Sequence, residues 1–123
     1  MAIVVGHLST PEGQEALTTA VAEAQQRKVQ LLVVASPGEP DDATHAAELE
    51  ALDSHLVEAE VEHEVVEGSG DLAEDLVRTA ADAGAELIVI GLRRRSPVGK
   101  LILGSGAQRI LLEAPCPVLA VKP

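Results

Sequence analysis

The stretch VQLLVVA occupies residues 29–35, and every residue in it except the glutamine is apolar. A strand with one solvent-exposed face alternates apolar and polar side chains. A short run that is apolar almost throughout is typical of a strand covered on both faces, as in a parallel sheet. The stretch therefore predicts an inner strand of an α/β protein.

The segments on either side of this strand continue the same architecture. Before it, residues 3–5 predict a strand and residues 12–26 a helix, with Thr10 as N-cap and Pro11 at the first helical position. After it, the hydrophobic spacing predicts helices at 41–57, 71–83 and 105–113 and strands at 61–66, 87–90 and 118–121. The helix at 41–57 would bury one face, and Gly84 would end the helix at 71–83. That buried face comprises Ala46, Leu49, Leu52 and Leu56.

Five strands alternating with four helices predict an α/β fold: a five-stranded, doubly wound parallel sheet with helices on both faces. The strand at 61–66 alternates in polarity, which places it nearer an edge. The length of 123 residues suits a single domain over residues 1–123. Ligands of such sheets bind at the carboxyl ends of the strands, where the strand order reverses.

The composition disfavours several classes of partner. The chain has 20 Asp and Glu against 9 Lys and Arg, a formal net charge of -11, and no Phe, Tyr or Trp. Such a charge repels nucleic acid and anionic membranes, and no aromatic ring is present on which bases could stack. A single cysteine, Cys116, and the absence of a signal-peptide pattern predict a cytoplasmic protein.

One basic, glycine-rich segment interrupts this acidic chain. GLRRRSPVGKLILGS spans residues 91–105, and five of the nine Lys and Arg residues lie between Arg93 and Arg109. Gly104, Ser105 and Gly106 stand at the start of the last predicted helix, where unpaired N–H groups and the helix dipole favour an anion. The alternative is a solvated surface loop in which Ser105 only caps the helix. The segment by itself leaves both interpretations open.

Two familiar phosphate motifs do not fit this segment. In the P-loop pattern G-x-x-x-x-G-K-[ST], the first glycine position would be Arg94 and the residue after Lys100 is Leu101. The usual magnesium ligand is therefore missing. The dinucleotide fingerprint G-x-G-x-x-G does not follow the first strand either.

The carboxyl-terminal third does resemble one family. LILGSGAQRILLEAPCPVLAVK, residues 101–122, is similar to the terminal signature of universal stress proteins, and IVVG near the start fits as well. The resemblance implies an adenine-nucleotide alpha hydrolase-like fold that in many members binds ATP or another adenine nucleotide. It also implies a homodimer in which the terminal strand, Val118–Val121, pairs with its copy.

The family's nucleotide signature is only partly present. Its pattern is Gly, two residues, Gly, nine residues, Gly and Ser or Thr, which here corresponds to Gly91, Arg94, Gly104 and Ser105. Arg94 thus replaces a glycine, and its side chain would either close the site or serve as the phosphate ligand itself. The acidic residue that such members carry after the first strand is absent near Leu8. The remaining candidate site residues are Gly106, Val34 and His7. Because His7 follows the first strand, it is expected to point toward the ligand cleft, and the alternative is a solvated or structural loop residue.

Two functions from different classes remain. One is a stress-response or signalling domain that binds a small anionic ligand, such as an adenine nucleotide, with any role of magnesium undefined. The other is a dimeric interaction module of the same fold that binds no nucleotide. Slow ATP hydrolysis is the only enzymatic activity that the resemblance suggests. The four histidines have no metal-type spacing, so no metal site is expected.

Overall fold

Strands and helices alternate along the chain in the computed structural model, which describes residues 1–8, 10–37, 43–92 and 105–122. The order of the elements is β1 (Ala2–Gly6), α1 (Pro11–Arg27), β2 (Gln30–Ala35), α2 (Ala43–Glu58), β3 (His63–Glu67), α3 (Leu72–Ala83), β4 (Leu87–Gly91), α4 (Ser105–Glu113) and β5 (Val118–Val121). The predicted α/β alternation is confirmed.

The strands form one parallel sheet in the order β3-β2-β1-β4-β5. The central strand β1 pairs with β2 on one side and with β4 on the other. Its side chains Ile3, Val4 and Val5 are completely buried. The strand order reverses between β1 and β4, which is the position where sheets of this kind bind their ligands.

The helices cover both faces of the sheet, as the sequence predicts. Successive residues of a strand point to opposite faces, so Ile3 and Val5 pack with α1 and α2, whereas Val4 packs with α3 and α4. The two apolar layers are built from Val, Leu, Ile and Ala, because the chain has no aromatic residue.

Local signals set the ends of two helices. The Thr10 hydroxyl accepts a hydrogen bond from the Gly13 N–H at 3.1 Å, with Pro11 following the cap. The left-handed residue Gly84 ends α3, and its N–H donates to carbonyls of the last turn. Both predicted helix ends are therefore confirmed. Lys28 adopts the same left-handed conformation after α1, with φ of 56°.

The buried face predicted for α2 is wrong at its amino-terminal half. Leu52 and Leu56 are buried, but Ala46 is exposed and Leu49 only half-buried. Beside this half of the helix lies an open cleft of about 520 Å³ between α2 and the ends of β2 and β3. The helix packs into the core through its later turns, where Leu52 and Leu56 lie.

The start of β3 also differs from the prediction, which began the strand at Val61. The Val61 N–H donates to the Leu56 carbonyl at 3.2 Å, so Val61 belongs to the turn after α2. The strand lies at the edge of the sheet, as its alternating polarity predicts. Within the described ranges, no helix combines the length and apolar character needed to cross a membrane.

Candidate functional site

A cavity of about 180 Å³ lies where the strand order reverses, between the carboxyl ends of β1 and β4. Its walls come from the beginning of α1, from α3 and from α4. Most of the lining is glycine or aliphatic side chain. The described lining residues are Gly6, Leu8, Glu12, Gly13, Ala16, Leu72, Ala73, Leu76, Val89, Ile90, Gly91, Gly106, Ala107 and Ile110.

The glycines of the cavity serve different purposes. A Cβ on Gly91 would collide with the backbone carbonyl of Glu12, so this position packs directly against the first turn of α1. A Cβ on Gly6 would lie 3.0 Å from the Leu72 side chain. At Gly106 the nearest atom to such a Cβ is the Cβ of Ala73 at 3.8 Å, an ordinary contact. Gly91 is thus required by packing, whereas Gly106 leaves space at the cavity wall.

The structure brings only some of the predicted site residues together. Gly91 and Gly106 both line the cavity, and Ser105, exposed, begins α4 next to Gly106. Arg94 and Gly104 lie outside the described residues.

His7 and Val34 are placed elsewhere. Gly6 and Leu8 line the cavity, but His7 between them lines a separate cleft of about 400 Å³ between α1 and α2. Adjacent residues of extended chain point to opposite sides, which corrects the placement expected for His7. The His7 N–H donates to the Val34 carbonyl at 2.8 Å, and the Val34 side chain is completely buried in the layer under α3.

Glu12 is a cavity residue that the sequence analysis missed. It is the only charged side chain among the described residues that line the cavity, and it is half-buried. The family resemblance points instead to the position near Leu8, directly after β1, which holds no carboxylate. The usable signal was the carboxylate in the first turn of α1, two residues after the Thr10 cap.

A salt bridge joins the two helices that form one wall of the cavity. Arg109 of α4 donates to the Asp71 carboxylate at 3.0 Å, and Asp71 caps α3 by accepting from the Glu74 N–H. The hydrogen bond from Arg109, followed by that from Glu74, holds the pKa of Asp71 below its ordinary value. One of the five clustered basic residues therefore connects helices instead of lying free for an anion.

Asp75 organises the loop between β3 and α3. Its side chain is 2% exposed and accepts hydrogen bonds from the Ser69 N–H and hydroxyl, both at 2.8 Å, and from Arg78. Burial alone would raise the pKa of Asp75, but the bonds from Ser69 and Arg78 outweigh it and lower the pKa. The same loop is held to β2 by the Gly68 N–H, which donates to the Ala35 carbonyl at 2.7 Å.

Other candidates for chemistry receive little support from the geometry. Cys116 is half-buried against the α3 and α4 layer, and burial raises the pKa of its thiol, which disfavours the nucleophilic thiolate. Across the part of the chain that the structure describes, no three His, Cys, Asp or Glu side chains lie close enough to share a metal ion.

The fold and the cavity together define a class of protein. A doubly wound parallel sheet with a glycine-lined cavity at its switch point is the architecture of small-ligand-binding α/β domains. The model of the universal stress protein family matches residues 1–122, and the chain belongs to that family.

Individual relatives agree with this assignment. The chain is 45% identical over 126 residues to a universal stress protein of Mycolicibacterium smegmatis, covering 98% of this chain and 97% of that one. It is similar to the solved universal stress protein from Archaeoglobus fulgidus, with 34% identity, a TM-score of 0.78 and coverage of 99% and 98%. A second solved structure from that organism, in complex with dAMP, has 28% identity, a TM-score of 0.76 and the same coverage.

Proposed function

We propose that this chain is a stress-response or signalling domain that acts by binding an adenine nucleotide in the switch-point cavity. The observation that carries the proposal is the cavity itself, with aliphatic walls and Gly106 at the amino-terminal turn of α4. The relative solved with dAMP supports an adenine nucleotide as the ligand.

The lining of the cavity suggests how such a ligand would lie. The side chains of Leu8, Leu72, Leu76 and Ile110 offer an apolar surface for a purine ring. A volume of about 180 Å³ is below the roughly 300–1,000 Å³ of sites that enclose a drug-sized ligand, so only part of a nucleotide would be enclosed. The phosphates would then extend toward Ser105 and Gly106, where the helix N-terminus favours anions. The Glu12 carboxylate would accept hydrogen bonds from ligand hydroxyl or amino groups.

Calorimetry with ATP, AMP and cyclic AMP, each with and without magnesium, tests the proposal. We expect saturable heats for at least one of these nucleotides. The Ser105→Ala variant should bind about 1–2 kcal/mol more weakly, the scale of a hydrogen bond to a charged acceptor. Ser54→Ala, on the exposed surface of α2, is the matched control and should bind like the wild type. No heat with any of the three nucleotides would reject the proposed ligand class.

A separate variant distinguishes the two roles of Arg94, which lies outside the described residues. Arg94→Gly restores the family's glycine spacing. If the arginine closes the site, this variant should bind ATP more tightly than the wild type. If Arg94 is itself the phosphate ligand, the variant should bind ATP more weakly.

The edge strand β5 favours a second function, self-association as a homodimer. The Pro117 carbonyl accepts from Ile88 of β4, and the Val121 carbonyl accepts from Leu92, the residue after β4. The alternation along a strand therefore turns the N–H and C=O of Ala120 to the open edge. An edge with unpaired backbone groups invites pairing with another chain. On α4, Leu112 is 86% exposed, an apolar side chain that a second copy would cover where its surface extends to this helix.

Sedimentation equilibrium at micromolar concentration tests the homodimer. We expect a mass approaching twice the 12.8 kDa of one chain. Ala120→Pro removes an N–H that faces away from β4, so it should separate the subunits and leave the monomer folded by circular dichroism. A wild-type protein that stays at the monomer mass would rule out a stable dimer.

A further inference from the structure

Helix α2 packs against the sheet chiefly through its carboxyl-terminal half. Leu52 and Leu56 are its buried residues, and the turn after the helix is held by Gln25 of α1, whose amide donates to the Ala59 carbonyl at 2.8 Å. Open clefts of about 400 and 520 Å³ lie on the two sides of α2. Between residues 43 and 50, the amino-terminal half of α2, no side chain is fully buried.

One polar contact connects the middle of α2 to the edge strand. The Nε2 of His63, on β3, lies 2.7 Å from the Asp53 carboxylate on α2, and its Nδ1 lies 2.9 Å from the Val61 carbonyl. Both ring nitrogens thus face oxygen acceptors. A neutral imidazole has only one N–H, so it can satisfy one of these acceptors, whereas the imidazolium satisfies both.

We propose that His63 and Asp53 form a pH-sensitive latch, which holds α2 against β3 through a charged hydrogen bond while the imidazole is protonated and through a weaker neutral one when the proton is lost. This weakening would loosen α2 and widen the clefts beside it, including the one lined by His7, Thr18 and His55. Neither His63 nor Asp53 lines the switch-point cavity, so the latch is separate from the proposed nucleotide site.

The surroundings of His63 favour the protonated ring. The hydrogen bond to Asp53, then that to Val61, raises the pKa of His63, although its burial acts in the opposite direction. From β2 the paired residue is Leu31, and from α1 the uncharged side chain of Gln25 reaches the turn before β3. The carboxylates of the same segment, Glu60, Glu62 and Glu64, are exposed to solvent.

The sign of the effect follows from this raised pKa. The extra stabilisation from the charged ring is complete below the ordinary histidine pKa of about 6.5, and it is lost as the pH rises through the higher pKa of the folded protein. The opening of α2 should become about tenfold more frequent for each unit by which the latched pKa exceeds that of the released ring.

Amide hydrogen exchange of the full chain, read by NMR between about pH 5.5 and about pH 9, tests the latch. Protection factors are used because they remove the intrinsic pH dependence of exchange. We expect the protection of α2 amides to fall with the same midpoint as the titration of the His63 ring, while β1 amides stay unchanged.

Two variants decide the outcome. Asp53→Asn keeps the size of the side chain and removes its charge, and since Asp53 is 61% exposed the variant should fold. It should lower the His63 titration midpoint and reduce the pH dependence of α2 protection. The control Glu48→Gln removes a charge from an exposed position on the same helix and should behave like the wild type. The latch is contradicted if the protection factors of α2 amides do not follow the His63 titration. It is also contradicted if the pH dependence of protection changes equally in both variants.

Discussion

Gly91 has no room for a side chain, and this constraint is independent of any ligand. The position faces the main chain of Glu12 in the first turn of α1, so β4 and α1 approach each other there at backbone distance. A glycine at the end of this strand is therefore explained by packing alone. Gly106, by contrast, has ordinary space around it, and its lack of a side chain leaves the cavity open toward the start of α4.

This difference leads to a prediction for two matched substitutions. Gly91→Ala should lower the free energy of unfolding by about 1–3 kcal/mol, because the new methyl group displaces the backbone of Glu12. Gly106→Ala should leave stability unchanged or raise it by up to about 1 kcal/mol, since alanine favours a helix over glycine. Urea unfolding of both variants measures the two effects. Equal losses would mean that the close approach at Gly91 is not the cause.

At the scale of elements, two helices end in the same left-handed conformation with different residues. Lys28 follows α1 with φ of 56°, and Gly84 follows α3 with φ of 61°. This conformation brings Cβ too close to the backbone in every residue except glycine. Nothing lies within 4 Å of a Cβ placed on Gly84, so the conformation is the only source of strain there.

A reciprocal pair of substitutions should therefore shift stability in opposite directions. Gly84→Ala should lower the free energy of unfolding by about 1–2 kcal/mol. Lys28→Gly should raise it by up to about 1 kcal/mol, because the relieved strain exceeds the extra freedom of glycine in the unfolded chain. Chemical denaturation followed by circular dichroism compares both with the wild type. A stabilising Gly84→Ala would show that α3 ends differently in solution.

At the scale of the whole molecule, three groups shape the dependence of stability on pH. The lowered pKa values of Asp71 and Asp75 add stability above the ordinary Asp pKa of about 3.9, which is lost as the pH falls toward their folded values. The raised pKa of His63 adds stability below about 6.5, which is lost as the pH rises. The self-repulsion of a chain with net charge -11 also declines as the pH falls from neutrality.

We therefore expect the greatest free energy of unfolding between about pH 4.5 and about pH 6.5. Urea unfolding across the range from about pH 3 to about pH 9 checks this expectation. Asp75→Asn should reduce the fall in the free energy of unfolding toward acid pH. Asp53→Asn should reduce the fall in the free energy of unfolding as the pH rises above the maximum. A stability maximum above about pH 8 would contradict the assignment of these groups.

The candidate site was less predictable from the sequence than the fold. Gly91 and Gly106 were identified from their position after β4 and at the start of α4, and both line the cavity. Glu12 was missed because the direction of a side chain in the first turn of a helix depends on how the helix packs. His7 was placed in the wrong cleft for a similar reason, since one step along the chain reverses the direction of a side chain.

Local patterns were sufficient to predict the order of strands and helices, the parallel sheet with two covered faces, the start of α1 and the end of α3. These features depend on hydrophobic period, capping residues and glycine conformation, which act over a few neighbouring residues. The pairing of Arg109 with Asp71, of Ser69 with the buried Asp75 and of His63 with Asp53 became visible in the folded chain. Each of these contacts depends on the relative placement of separate elements, and a hydrogen bond is sensitive to displacements of a few tenths of an ångström that no local pattern encodes.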